Sequence, residues 1–382
     1  MPKKILAVTG TRADYGLLSK TLKAINQSKN LSLSLCVTGT HLSKSFGETK
    51  RFIDEDGITI DHKINIIENT FDENSVSRSV GLMITNFSKY LDEVKPDCVL
   101  LLGDRYEIFA AASSCLMKAI PVAHIHGGEL SEGAFDDALR HSITKMSHIH
   151  FTSCEEHRNR VIQLGESPSN VFNFGAPGVE LIKSTKLLSK KAIFRDLGIK
   201  LFEKNFMITF HPETLDTHLS PSLQINNLLS VLEKYHDTKL IFTSANADPG
   251  GHVINDKILE FVSKNENASF HSSLGQKNYL SLLSYCDAMI GNSSSALIEA
   301  PSFKLPALNI GHRQRSRMKS NNVFDCENEV HSIQEALLKV TSTNRELITN
   351  PFDGGKTSVK IVETLENINL KDILKKKFND LL

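Results

Sequence analysis

The chain has 382 residues, and its 44 Lys plus Arg balance 44 Asp plus Glu, so no long-range field draws it to nucleic acid or to an anionic membrane. Its length suits two domains of ordinary size, and no apolar run approaches the ~20 residues of a membrane span. The opening MPKKILAVTG passes from basic residues into a strand pattern without a cleavage site, so a cytoplasmic protein is expected, and the six scattered cysteines read as reduced core thiols.

The first element is the apolar strand ILAVTG, followed by the glycine-bracketed stretch Gly10 to Gly16 and the helical pattern LLSKTLKAI. Such a turn exposes backbone N–H groups at a helix N-terminus, and Arg12 adds a guanidinium, so a phosphate is the natural guest. The loop is neither GxGxxG nor GxxxxGK[ST], and by itself it reads equally as a structural turn. After the strand LSLCVTG comes SVSRSVGLMITNFSKYLDEV, where Val76, Val80, Ile84, Phe87, Leu91 and Val94 step by three or four. This amphipathic segment is a candidate interface helix, and a homo-oligomer, dimer or tetramer, is expected. The strand CVLLLGD then delivers Asp104 and Arg105 to its end, with Asp104 read either as a helix cap or as a reacting carboxylate.

The next strand opens AHIHGGELSEGAFDDALRHSITK, which gathers His124, His126, Glu129, Asp136, Asp137, Arg140 and His141 around a glycine pair. That density of titratable groups at a strand end points to proton transfer. A metal is not expected, because the HIH pair has no matched distant Cys or His partners. HIHFTS and VFNFGAPG complete a first set of strands, and FMITFHPE, KLIFTSA, AMIGNSS and PALNIG begin a second. In the second set His211 ends a strand, Ser293, Ser294 and Ser295 open ALIEA as donors for a diphosphate, Glu299 is placed to take a ribose diol, and Arg313, Arg315 and Arg317 follow a glycine. The alternation predicts an α/β protein of two Rossmann-like domains, 1–178 and 179–360, facing a central cleft, with a helical tail over 361–382.

The order GTRADYG, TGTH, GDRYEIF, HIHGGE, DD..RHSITKMSH, FHPET, SANAD, GNSSS.LIE.P and NIG.RQ.SR resembles the hydrolysing UDP-N-acetylglucosamine 2-epimerases of sialic and legionaminic acid biosynthesis, from near residue 5 to about 320. The resemblance implies the glycosyltransferase B fold and loss of UDP across C1–C2 to a glycal, with water then adding to release the free 2-epimer. The product would be N-acetylmannosamine or its 2,4-diacetamido-6-deoxy counterpart, and no cofactor is implied. On matching positions, Asp104, Asp136, Glu129 or His126, and His211 are the catalytic candidates, while Arg12, Ser293, Ser294, Glu299 and Arg313 match UDP contacts. Arg105 and Arg140, from the same stretches, join the substrate-binding candidates. One departure matters: many relatives read HIEGGE, with a carboxylate where this chain has His126, and Glu129 is the candidate to take over that role.

Two other readings explain the same loops. A glycosyltransferase of the same fold would also bind a UDP-sugar but would need an acceptor, and a non-catalytic nucleotide-sugar binder would not need Asp104 and Asp136 together.

Overall fold

The computed structural model describes residues 1–44, 47–67, 74–131, 135–213, 219–246 and 250–381; Thr214 of FHPET and Ala247 and Asp248 of SANAD lie outside them. The chain divides into two compact units, Met1–Leu181 with Phe352–Leu382, and Ile182–Pro351. The first is built on β1 (Lys3–Thr9), β2 (Leu31–Thr38), β3 (His62–Ile64), β4 (Cys98–Leu102), β5 (Val122–Ile125), β6 (Ile149–Thr152) and β7 (Val171–Asn173). These pair in parallel in the order β3-β2-β1-β4-β5-β6-β7. Alternate residues of β1 and β4 bury on opposite faces: Ile5, Ala7 and Leu100 against Leu18, Leu22 and Ile25, and Leu6, Val8, Val99 and Leu101 against Met83 and Phe87. Coverage on both faces explains why these strands read as continuous apolar runs.

The second unit repeats the plan with β8 (Lys204–Thr209), β9 (Thr238–Thr243), β10 (Ala268–His271), β11 (Ala288–Gly291), β12 (Ala307–Ile310) and β13 (Val323–Cys326), ordered β10-β9-β8-β11-β12-β13. The strand order therefore reverses between β1 and β4 in one unit and between β8 and β11 in the other. In open α/β sheets the crevice outside the carboxyl ends at such a reversal is where ligands bind. Strands β3, β10 and β13 went unread in the sequence. All three are short, partly exposed edge strands, so they carry no apolar run.

After Pro351 the chain returns to the first unit, so residues 352–360 group there and not with the second. Phe352 O accepts from Ala176 N at 2.8 Å and Thr357 Oγ1 donates to Phe174 O at 2.7 Å. The helix Thr357–Asn367 buries Ile361, Val362 and Leu365 in the core formed with Leu18 and Leu22. The helical tail expected over 361–382 stops at Asn367. There Lys3 Nζ donates to the carbonyls of Leu365, Glu366 and Ile368 at 2.7, 3.0 and 2.9 Å, completing the helix end with a cation.

Further along, Lys376 joins Lys145 and His150 around Glu166, at 2.7, 2.6 and 3.1 Å, and Glu166 is only 2% exposed. Burial opposes ionisation, but hydrogen bonds and charge from His150, Lys145 and Lys376 prevail and hold the Glu166 carboxyl down at about 2. A depressed carboxyl stabilises the fold above its unfolded pKa, and that contribution is lost as pH falls from about 4.3 through the folded value. Glu166→Gln is expected to remove on the order of 3 kcal/mol at pH 7 and to flatten the acid limb of stability between about pH 4.5 and 2. Denaturant unfolding across that range checks it, and parallel curves for variant and wild type would refute it.

Candidate active site

At the end of β1 the loop is shorter than the sequence suggested. The helix already begins at Arg12, with Thr11 as its cap accepting from Asp14 N at 3.2 Å, so Asp14 to Gly16 lie inside it. Arg12 lies over the Phe52 ring at 4.3 Å. Asp14 Oδ2 is buried without a hydrogen-bond partner among the described residues, and burial pushes its carboxyl up to about 6, against the Thr11 hydrogen bond and the Arg105 charge.

At the end of β4, across the strand-order reversal, Arg105 caps the helix Tyr106–Met117 by position and makes no side-chain cap bond. Asp104 is therefore not its cap. It forms an ion pair with Arg140 Nη2, reaching across to the helix Phe135–Met146 that comes after β5. The same Nη2 donates to Ser131 Oγ at 3.1 Å. Arg140 is 7% exposed, and its Nε and Nη1 are buried with no hydrogen-bond partner among the described residues. Asp136, one turn earlier on that helix, has its carboxyl raised by burial and by the Asp104 charge, with Arg105 and Arg140 working against the shift. The two carboxylates singled out in the sequence thus stand within electrostatic reach of one another. Arg105 is committed to Glu107, which is fully buried, at 2.6 Å.

At the end of β5, His124 and His126 part company. His124 is fully buried, bonds the Gly103 carbonyl through Nε2 at 2.8 Å, and is pushed down to about 3, chiefly by burial, so it serves the β4 turn as a neutral ring. His126 bonds Glu129 Oε1 through Nδ1, while its Nε2 is buried without a partner among the described residues. Glu129 also accepts from Ser153 Oγ at 2.8 Å, and Ser153 Oγ contacts His157 Nδ1 at 2.8 Å. Burial alone would raise the Glu129 carboxyl, but His126 first, then His157 and Arg140, hold it well below the usual range. Among the described residues no group of three or more His, Cys, Asp or Glu is arranged to hold a metal ion.

In the second unit the reversal lies between β8 and β11. Asn292 clamps the backbone of His211 in both directions, accepting from His211 N at 2.7 Å and donating to His211 O at 2.8 Å. His211 Nδ1 accepts from Asn246 N at 3.0 Å. The helix expected to open at the serines is a single turn, Ser295–Ile298. Ser293 Oγ accepts from Ser295 N at 3.3 Å, and Ser295 Oγ is engaged by Glu299 and, at 2.7 Å, by Tyr279 OH. Burial raises the Glu299 carboxyl, and the Ser295 bond partly offsets this. Arg313 is exposed, and its backbone N–H, with that of His312, donates to Glu213 Oε1 at 2.9 and 2.6 Å. A depression of about 330 Å³ lined by His62, Lys63, Asn86, Lys89 and Tyr90 contains none of these residues.

A family model described as UDP-N-acetylglucosamine 2-epimerase matches residues 23–366. The chain belongs to the UDP-N-acetylglucosamine 2-epimerase family. It is 42% identical, over 99% of both chains, to a Campylobacter jejuni protein named GDP/UDP-N,N'-diacetylbacillosamine 2-epimerase (hydrolyzing). It is 37% identical to polysialic acid biosynthesis protein P7 of Escherichia coli, over 99% of this chain and 96% of that one. The crystal structure of UDP-GlcNAc 2-epimerase from Neisseria meningitidis bound to UDP-GlcNAc superposes with a TM-score of 0.78 at 21% identity, covering 95% of this chain and 99% of that one. The fold is thus the expected pair of Rossmann-like units of the glycosyltransferase B class.

Reading this 2-epimerase family member by motif alone passed over the residues that hold the candidates in place. Ser153 and His157 flank the start of the helix Glu155–Gln163, and their spacing of four, just after a strand end, was an available signal. Asn292, Glu213 and Gln314 stand inside the motifs GNSSS, FHPET and NIG.RQ, but what they do is not readable there, because each works on backbone groups distant in sequence.

Proposed function

We propose that the protein is a hydrolysing 2-epimerase that converts a UDP-linked 2-acetamido sugar and water into UDP and the free 2-epimer. The observation that carries this reading is Arg140: a buried guanidinium ion-paired with Asp104, within electrostatic reach of Asp136 and Glu129, with its Nε and Nη1 buried and unpartnered among the described residues. Hydrogen on C2 beside an amide is barely acidic, so departure of the diphosphate runs ahead of its removal and C1 becomes cationic. The C1–O electron pair leaves with the diphosphate, the C2–H pair becomes the C1–C2 double bond, and water then places OH on C1 and H on C2. Inversion requires that the second proton arrive from the opposite face. In this reading the Asp104 carboxylate faces the developing cation, Asp136, with its raised pKa, delivers the proton to C2 in the hydration step, and Arg12, Arg105 and Arg140 bind the anionic substrate. Ser293, Ser294, Glu299 and Arg313 are assigned to the nucleotide and its diphosphate, and His211, a catalytic candidate by resemblance, joins them here because Asn292, the neighbour of Ser293, clamps its backbone.

The sugar we favour is N,N'-diacetylbacillosamine, from the 42% identity to the C. jejuni protein. The test offers purified protein UDP-N,N'-diacetylbacillosamine, its GDP analogue and UDP-GlcNAc without any acceptor. Release of UDP with a free sugar supports the reading, and turnover only when an acceptor is added points to a glycosyltransferase. Turnover in deuterated water is expected to label C2 of the product, and labelled water its C1 oxygen. Mass spectrometry showing that the product retains the substrate's C2 hydrogen would rule out elimination.

A further inference from the structure

His126 ends the stretch AHIH that runs out of β5, and the structure shows what surrounds it. It comes directly after β5, with its backbone N–H on Phe151 O at 3.0 Å, and its Nδ1 is committed to Glu129. The same Glu129 oxygen, Oε1, also accepts from Ser153 Oγ at 2.8 Å, with His157 Nδ1 3.9 Å away. Ser153 and His157 are 2% and 4% exposed, and they sit at the start of the helix Glu155–Gln163. That helix comes close enough that a Cβ on Gly128 would collide with the His157 carbonyl, and Gly128 has a φ of 82°, a conformation natural only to glycine. Arg160 Nη1 closes the same contact on Gly128 O at 2.5 Å. His126 Nδ1, Glu129 Oε1, Ser153 Oγ and His157 Nδ1 are thus linked in one chain of contacts, while His126 Nε2 is buried and finds no partner among the described residues.

We infer that His126 is the base of the elimination, acting through Nε2, and that Glu129, Ser153 and His157 are positioning residues that hold its ring and keep the other proton on Nδ1. The assignment rests on the elimination reading above and gives the role of base to the imidazole, not to Glu129. Proton balance is simple. The C2 proton moves to Nε2 as the C2–H pair becomes the double bond and the diphosphate leaves, and it then exchanges with solvent. A carboxylate that accepts from a ring N–H orients the imidazole and stabilises its cation without reacting itself, the division of labour seen in catalytic triads.

The experiment is a kinetic cycle on the full chain: His126→Ala, Glu129→Gln, and both together, with Glu129→Asp and Ser153→Ala as milder variants. Each of the first two is expected to lower kcat by about 10²-fold or more with KM nearly unchanged. The double variant should fall no further than His126→Ala alone, because residues that act as a unit are not additive, and Glu129→Asp should recover part of the loss. Ser153→Ala should cost activity only while His126 is present. Independently, nitrogen NMR of labelled histidine, with His126 assigned from its missing signals in His126→Ala, should show Nδ1 protonated in wild type and that preference lost in Glu129→Gln. Losses that multiply in the double variant, or a wild-type ring protonated on Nε2 alone, overturn the relay. A wild type that releases UDP from no sugar nucleotide overturns the functional reading instead.

Discussion

Asp104→Asn and Asp136→Asn are each expected to lower kcat by ~10²–10⁴-fold while UDP binds nearly as before, the usual loss when a charge facing a developing cation or a positioned proton donor is removed. The structure makes the two variants unequal tests. Asp104 is the ion-pair partner of Arg140, whose side chain is buried, so the asparagine also leaves a guanidinium short of its counter-charge. Losing one member of a buried pair costs stability as well as chemistry, so Asp104→Asn should unfold at lower denaturant concentration. Asp136→Asn leaves the Arg140 pair intact, and its loss should appear in kcat alone. The variant that separates these effects is Arg140→Lys: it keeps a cation near Asp104 but removes the planar fork. Steady-state kinetics beside calorimetric UDP titration reads all three, and an Asp136→Asn enzyme turning over at the wild-type rate would strike that residue from the reaction.

Gly291→Ala is expected to cost about 3–5 kcal/mol of stability in the second unit, from backbone strain together with overpacking. Gly291 closes β11 with φ 132°, and a Cβ there would collide with the backbone carbonyl of Thr209 at the end of β8. Neither strand has room to withdraw: Ile290 pairs with Ile208 in the register, and both are buried in the same core. The next residue, Asn292, holds His211 in place, so the damage should extend to ligand binding, with UDP affinity lost even where the variant still folds. Gly275→Ala is the control, since that glycine has open space around its Cβ position, although its φ of 67° adds some strain. Equal unfolding midpoints for Gly291→Ala and the control would show that the close approach at the strand reversal is not what the glycine serves.

The α/β class, the covered central strands and the order of polar motifs that follow strands were legible in the amino-acid order, although Asp136 and Arg140 stand on the helix Phe135–Met146. These features arise from local physics: a stretch buried on both faces must be apolar, as β4 and Ile5 to Val8 of β1 are, and the loop after it must carry the polar groups. The same locality explains what was missed. Edge strands such as β13 are only half covered and leave no apolar signature, and the tail helix ends at Asn367 because a lysine from residue 3 completes its carbonyls. Partnerships at the site were a matter for tertiary structure. The pairing of Asp104 with Arg140 spans 36 positions and depends on β4 lying beside β5, and Ser153 reaches Glu129 because β6 is the next strand over. Residue types and strand ends are set by which side chains can be buried, which the sequence states directly. Which of the exposed groups meet is set by strand order and register, and those exist only once the sheet has formed.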